Sequence, residues 1–221
     1  MVNIKTILLF DLEKTISKPL LQEHDNPWTA LCEIKDFIIS FGKTLSADKY
    51  DYVKQNVWIA KSATVSPTAH ITGPCIIDEH AEIRHCAFIR GSVIVGKNCV
   101  VGNSTELKNC ILFDNVQVPH FNYIGDSILG YRSHLGAGAI TSNVKSDKTC
   151  VTIKCTDEKI ETGLNKFGAI VGDFTEVGCN SVLCPGTVLG KNCTVYPTSC
   201  VRGYIEENSI FKNDGSCIKK L

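Results

Sequence analysis

From Ile59 onward, hydrophobic side chains return every six positions. The series runs Ile59, Val65, Ile71, Ile77, Ile83, Ile89, Val95, Val101, Leu107 and Phe113, and breaks at Pro119. It resumes at Leu129 and Leu135. After an interruption it returns as Val171, Val177, Leu183, Leu189, Val195 and Val201. Four residues after most of these aliphatics stands a small side chain, as at Ala63, Ala69, Cys75, Ala81, Ala87, Cys99, Ser133, Ala139, Thr175 and Ser181. A period of six fits neither an amphipathic helix nor an ordinary alternating strand. It fits a three-sided prism in which a short strand forms each face and a tight corner joins it to the next. The large aliphatic points inward and the small residue fits where the interior narrows. Three hexapeptides complete a turn, so residues eighteen apart stack at the ordinary strand spacing of about 4.8 Å.

This pattern resembles the hexapeptide-repeat proteins, which implies a mainly β fold: a left-handed parallel β-helix over residues 58–221. Handedness comes from the resemblance, since ordinary parallel crossovers are right-handed. Residues 1–57 lack the repeat and read as a small α/β cap. Ile7 to Phe10 has the pattern of a short strand. Asn26-Pro27 is a helix start, and Trp28, Leu31, Ile34, Phe37, Ile38 and Phe41 follow at helical spacing, with Gly42 as the stop. This helix is expected to cover the open end of the β-helix, where bare strand edges invite aggregation. Residues 141–168 interrupt the repeat and read as a protruding loop or hairpin. After Val201 one more strand is expected at Ser209 to Phe211, followed by a frayed tail.

Composition narrows the function. Lys+Arg and Asp+Glu both number 23, giving a formal net charge of zero. A general nucleic-acid or anionic-membrane binder is basic, so neither partner is expected. The early apolar run is far too short for a membrane span or a secretory signal, which points to the cytoplasm. The 12 cysteines show no short-spaced pairs of the kind zinc sites use and read as small buried fillers. Asp11-Leu12-Glu13-Lys14-Thr15 has the look of a phosphatase nucleophile motif, but no supporting domain follows it.

Polar detail on an otherwise regular wall is informative. It concentrates in Glu106, Lys108, Pro119-His120-Phe121-Asn122-Tyr123 and Gly125-Asp126. Arg90 and Lys108 both follow an inward aliphatic and are eighteen apart, so they should stack on one outer face. Two cations that close repel unless an anion lies between them, and phosphate is a natural one. Two solvated side chains splayed apart is the alternative.

Gly102-Asn103-Ser104-Thr105-Glu106-Leu107-Lys108, Pro119 to Asp126, Leu135-Gly136-Ala137-Gly138, Thr141-Ser142-Asn143 and Asn165 to Asp173 together resemble one family. It is the acetyltransferase domain of the bifunctional enzymes that pair UDP-N-acetylglucosamine pyrophosphorylase with glucosamine-1-phosphate N-acetyltransferase. The resemblance spans residues 59–200. It implies transfer of acetyl from acetyl-CoA to the amine of an amino-sugar 1-phosphate, in nucleotide-sugar biosynthesis, with no metal required. By the same resemblance His120 takes the amine proton and Glu106 orients it. Arg90, Lys108 and Lys166 hold the sugar phosphate. Tyr123, Asn143 and the position of His134 line the sugar. Ala137 and Cys179 line a CoA groove between subunits of a homotrimer.

Two residues depart from the family pattern: His134 replaces the asparagine before Leu-Gly-Ala-Gly, and Val144 replaces a tyrosine. They open the question of a different acceptor. They also leave room for a catalytically silent trimer that binds sugar phosphate or nucleotide sugar, or serves as a scaffold. The family's nucleotidyltransferase domain is not found in residues 1–57, which leaves open whether a separate protein supplies that step. A zinc-dependent hexapeptide enzyme is a further alternative, but His80 and His85 lack the third histidine that it needs upstream.

Overall fold

The computed structural model describes residues 4–156 and 158–220. Three columns of inward side chains run through it. The first is Ile59, Ile77, Val95, Leu112, Leu129, Val171, Leu189 and Ile205. The second is Val65, Ile83, Val101, Val118, Leu135, Val177, Val195 and Phe211. The third is Ile71, Ile89, Leu107, Ile124, Thr141, Leu183 and Val201. Each column belongs to one face of a three-sided coil, and the stacked strands are parallel. The fold is the expected left-handed parallel β-helix. Its corners require positive φ, and Asn recurs there, at Asn56, Asn98, Asn115, Asn180, Asn192 and Asn208. Asn tolerates this region because its short amide bonds the local backbone.

The coil length is not constant. Cys75 pairs with Val93 eighteen residues on. Val93 pairs with Cys110 after seventeen, and Cys110 with Ser127 after seventeen. Leu107 still pairs with Ile89 at eighteen, so the lost residue lies at Lys108-Asn109. The same shortened corner recurs at Gly125-Asp126. Strands Glu106–Leu112 and Tyr123–Leu129 therefore run on through the corner instead of stopping at it. The slip comes earlier than the break expected at Pro119. Leu112, not Phe113, fills the inward column, and the Phe113 ring packs on Phe10, centroids 4.8 Å apart.

One face is buried on both sides. Its strands are apolar or small throughout: Cys75–Ile77, Val93–Val95, Cys110-Ile111-Leu112 and Ala169–Val171. Strands covered on both faces show such runs. The outward column Ile76, Ile94, Ile111, Ile128, Ile170 and Val188 is fully buried. The N-terminal segment covers most of it: helix Ile34–Gly42 lies against strands Cys75–Ile77, Val93–Val95 and Glu106–Leu112, and the 3-10 helix Pro27–Cys32 lies against Tyr123–Leu129, while strand Thr152–Lys154 lies against Thr187–Leu189. The segment thus runs along the side of the β-helix, not over its end. Burying each large aliphatic there stabilises by about 1.5–3 kcal/mol, which an end-on placement would forgo.

Antiparallel strands close the ends instead. Tyr50–Lys54 pairs with Val57–Ala60, and Cys217–Lys219 turns back on Ser209–Phe211 where a frayed tail was expected. Thr6–Leu9 forms one helical turn in place of the expected strand. Asp11 caps the short helix Leu12–Lys14, its side chain accepting from the Glu13 amide. The interruption at 141–168 does contain a hairpin, Thr152–Lys154 with Lys159–Glu161. It lies on the wall: Val151 and Ile153 are fully buried, and the Thr152 and Lys154 carbonyls occupy the space a side chain at Gly186 or Gly203 would need.

Candidate functional site

The shortened corners assemble most of the residues singled out above. Glu106 and Tyr123 are register partners on adjacent coils. Arg90 stands one coil below Lys108, its amide bonded to the Leu107 carbonyl. Each of the two cations has its own carboxylate partner. Arg90 Nη1 lies 2.7 Å from Glu106 Oε1, which holds the guanidinium above its ordinary pKa. Lys108 Nζ lies 3.2 Å from Asp126 Oδ2. Asp126 is the hub of the cluster, its side chain only 6% exposed. Its Oδ2 also accepts from the Asn143 amide, and its Oδ1 accepts from Asn109 Nδ2 at 2.9 Å.

Asn143 Nδ2 also reaches the Tyr123 hydroxyl at 3.3 Å. Burial raises the Tyr123 pKa, and the charges of Asp126 and Glu106 add to it, so the phenol stays neutral. Its ring lies over Gly125, where any Cβ would stand 2.5 Å from the hydroxyl oxygen. Gly168 is required for a similar reason: a Cβ there would meet the Gly125 carbonyl at 2.3 Å. Its N–H donates to the Asp126 carbonyl at 2.8 Å, and the Phe167 N–H donates to the Asn143 carbonyl at 3.0 Å. Lys166, next in the chain to Phe167, is exposed.

His120 stands at the neighbouring corner, exposed, in register with Asn103 below. Its backbone is fixed: the N–H donates to Asn122 Oδ1 at 3.1 Å and the carbonyl accepts from Gly138 at 3.0 Å. Buried Asn122 donates in turn to the Gly136 and Ala139 carbonyls of the next coil. The imidazole makes no hydrogen bond to the described residues. Glu106, expected to orient it, is engaged by Arg90. Ala137 and Cys179 continue the His120 corner upward: the Ala137 carbonyl accepts from Asn180 and the Cys179 carbonyl from Thr198, both at 2.8 Å.

His134 does not join this group. It lies on the adjacent face, where its Nδ1 is 2.8 Å from Glu176 Oε2. Asn115, Gln117, Arg132, Ser133, His134 and Glu176 line a recess of about 360 Å³ there. Asn109 is the cluster member that residue-type reasoning passed over, and Asp126 was marked in the polar cluster without a role. Both sit at the register slip. Among the described residues no three His, Cys, Asp or Glu side chains converge as metal ligands, and no helix is long and apolar enough to cross a membrane.

The fold is a left-handed parallel β-helix of hexapeptide repeats. The polysialic-acid-specific acetyltransferase NeuO has this architecture, at a TM-score of 0.50, 12% identity, and coverage of 75% of this chain and 76% of that one. Residues 71–164 match the family described as the GMPPB C-terminal domain. The bifunctional protein GlmU of Methanococcus vannielii is 34% identical over 77% of this chain and 45% of its own length. That of Methanococcus maripaludis is 31% identical over 88% and 48%. A bifunctional sugar-1-phosphate nucleotidylyltransferase/acetyltransferase of Sulfurisphaera tokodaii is 28% identical over 67% and 41%. The chain thus spans about half the length of the curated relatives it matches, and it resembles the C-terminal acetyltransferase domain of the GlmU proteins.

Proposed function

We propose that this protein transfers acetyl from acetyl-CoA to the amine of an amino-sugar 1-phosphate, in nucleotide-sugar synthesis. The observation that carries the proposal is the convergence of Arg90, Lys108, Tyr123 and Asn143 with Glu106 and Asp126 beside a shortened corner, with His120 at the neighbouring corner. The cations receive the sugar phosphate, which shares them with Glu106 and Asp126. The Tyr123 phenol and the Asn143 amide bond the sugar. His120 takes the proton as the amine attacks the thioester carbonyl, a proton-transfer role that imidazole side chains suit. The new C–N bond forms, the C–S bond breaks, and the proton passes to the departing thiolate. CoA follows the corner of Ala137 and Cys179, and a neighbouring copy in a homotrimer completes the groove. A nucleotidyltransferase then consumes the product.

The test is release of CoA thiol from acetyl-CoA with a panel of amino-sugar 1-phosphates, each against a no-acceptor blank. Turnover is expected with at least one acceptor and is expected to fall at least 100-fold in His120→Ala. No turnover with any acceptor would overturn the proposal. That result would favour a silent sugar-phosphate-binding role, a reading supported by the lack of any hydrogen bond from the His120 ring to the described residues.

A further inference from the structure

The N-terminal segment reaches the site at two points. Asn109 sits at the shortened corner with φ of 46°. Its Nδ2 carries two hydrogens and serves two oxygens: the Leu31 backbone carbonyl at 3.2 Å and Asp126 Oδ1 at 2.9 Å. Leu31 belongs to the 3-10 helix Pro27–Cys32. Trp28 of the same helix stacks on Phe167, ring centroids 6.3 Å apart, and the Phe167 N–H is bonded to the Asn143 carbonyl. One short helix therefore braces the cluster on both sides of Asp126.

Asp126 cannot rotate freely in this setting. Its Oδ2 holds Lys108 and the Asn143 amide, its Oδ1 holds Asn109, and its carbonyl holds Gly168. We infer that the N-terminal segment is a working part of the acceptor site: the Leu31 carbonyl orients the Asn109 amide, the amide fixes Asp126, and Asp126 sets where the Lys108 ammonium stands. Asn109 is a positioning residue, since it acts through Asp126 and Lys108. This rests on Lys108 holding the acceptor's phosphate, as proposed above. The effect should be selective, because His120, Ala137 and Cys179 belong to the other corner.

The test uses the full chain with Asn109→Gly, which keeps the positive φ open while removing the amide. Asn109→Asp is the second variant; it keeps the shape but sets an acceptor against two acceptors. In both, the KM for the sugar phosphate is expected to rise about tenfold, the effect of losing one hydrogen bond to a charged group. The KM for acetyl-CoA should stay within twofold. Crystal structures of the variants are expected to show Asp126 turned and its contact with Lys108 lost. An unchanged acceptor KM in a folded variant, or equal rises in both KM values, would overturn the inference. If the wild type turns over no acceptor, the proposed function fails, and the variant structures still decide: an undisturbed Lys108–Asp126 contact would sink the positioning role by itself.

Discussion

Glu106 Oε1 stands 2.7 Å from Arg90 Nη1, so this carboxylate serves the cation and not the imidazole of His120. Resemblance gave Glu106 the orientation of His120, and the structure pairs it with Arg90 instead.

Glu106→Gln is therefore expected to leave the acid limb of the kcat/KM–pH profile where it is in the wild type. Removing a negative charge beside Arg90 should tighten inorganic phosphate binding by about two- to fivefold at low salt, with the gain shrinking as salt screens it. Titration calorimetry at two ionic strengths measures the second effect. A displaced acid limb would show that Glu106 acts on the base after all.

The covered face makes a stability prediction. Ile111 points away from the β-helix interior and Leu112 into it, yet both are fully buried. Ile111→Ala and Leu112→Ala should each cost about 2–5 kcal/mol in urea unfolding. Glu82→Ala, on a face with no such cover, should stay within about 0.5 kcal/mol. An Ile111 variant as stable as the wild type would mean that the N-terminal segment does not pack there.

Tyr50 brings a pH dependence. Its hydroxyl donates to Asp78 Oδ1; burial, then that bond, push the phenol well above its ordinary value of 10.0. The folded chain holds this proton more tightly than the unfolded chain. The contribution is complete below pH 10 and fades as pH rises through 10 toward the folded value. Melting curves should show an alkaline loss of stability that is smaller in Tyr50→Phe. At neutral pH the variant should be less stable by about 1–3 kcal/mol, because Asp78 loses a donor. Parallel alkaline limbs in the two proteins would contradict this.

The thiols should sort by burial. Cys75, Cys99, Cys110, Cys184 and Cys193 are buried, whereas Cys32, Cys86, Cys150, Cys179, Cys200 and Cys217 are exposed. Burial pushes the Cys75 thiol up to about 12 and Cys193 to about 11. Thiolate is the reactive form, so an aromatic disulfide reagent at pH 8 should modify the exposed six quickly and the buried five only on unfolding. Acetyl-CoA should slow the reaction at Cys179, measured by mass spectrometry. Equal rates with and without acetyl-CoA would argue against a groove along that corner.

Much of this was legible in the chain itself. The period of six identified the β-helix and most inward residues, and the polar cluster from Glu106 to Asp126 marked the corner that became the site. The triplets Val93-Ile94-Val95 and Ala169-Ile170-Val171 also carried a sign that one face is covered, since an outward aliphatic in a bare wall has no partner. They did not say what covers it.

The sequence by itself determined the coil, because a repeating choice between large, small and positive-φ residues is local and each hexapeptide meets the same steric demand. Tertiary structure alone decided the rest. The residue dropped at Lys108-Asn109 is visible only when coils are stacked, since seventeen and eighteen differ by one strand register. The partners of Arg90 and Lys108 depended on which carboxylate the neighbouring coil brought within 4 Å. The place of the helices at Pro27–Cys32 and Ile34–Gly42 depended on an apolar face assembled from strands of successive coils.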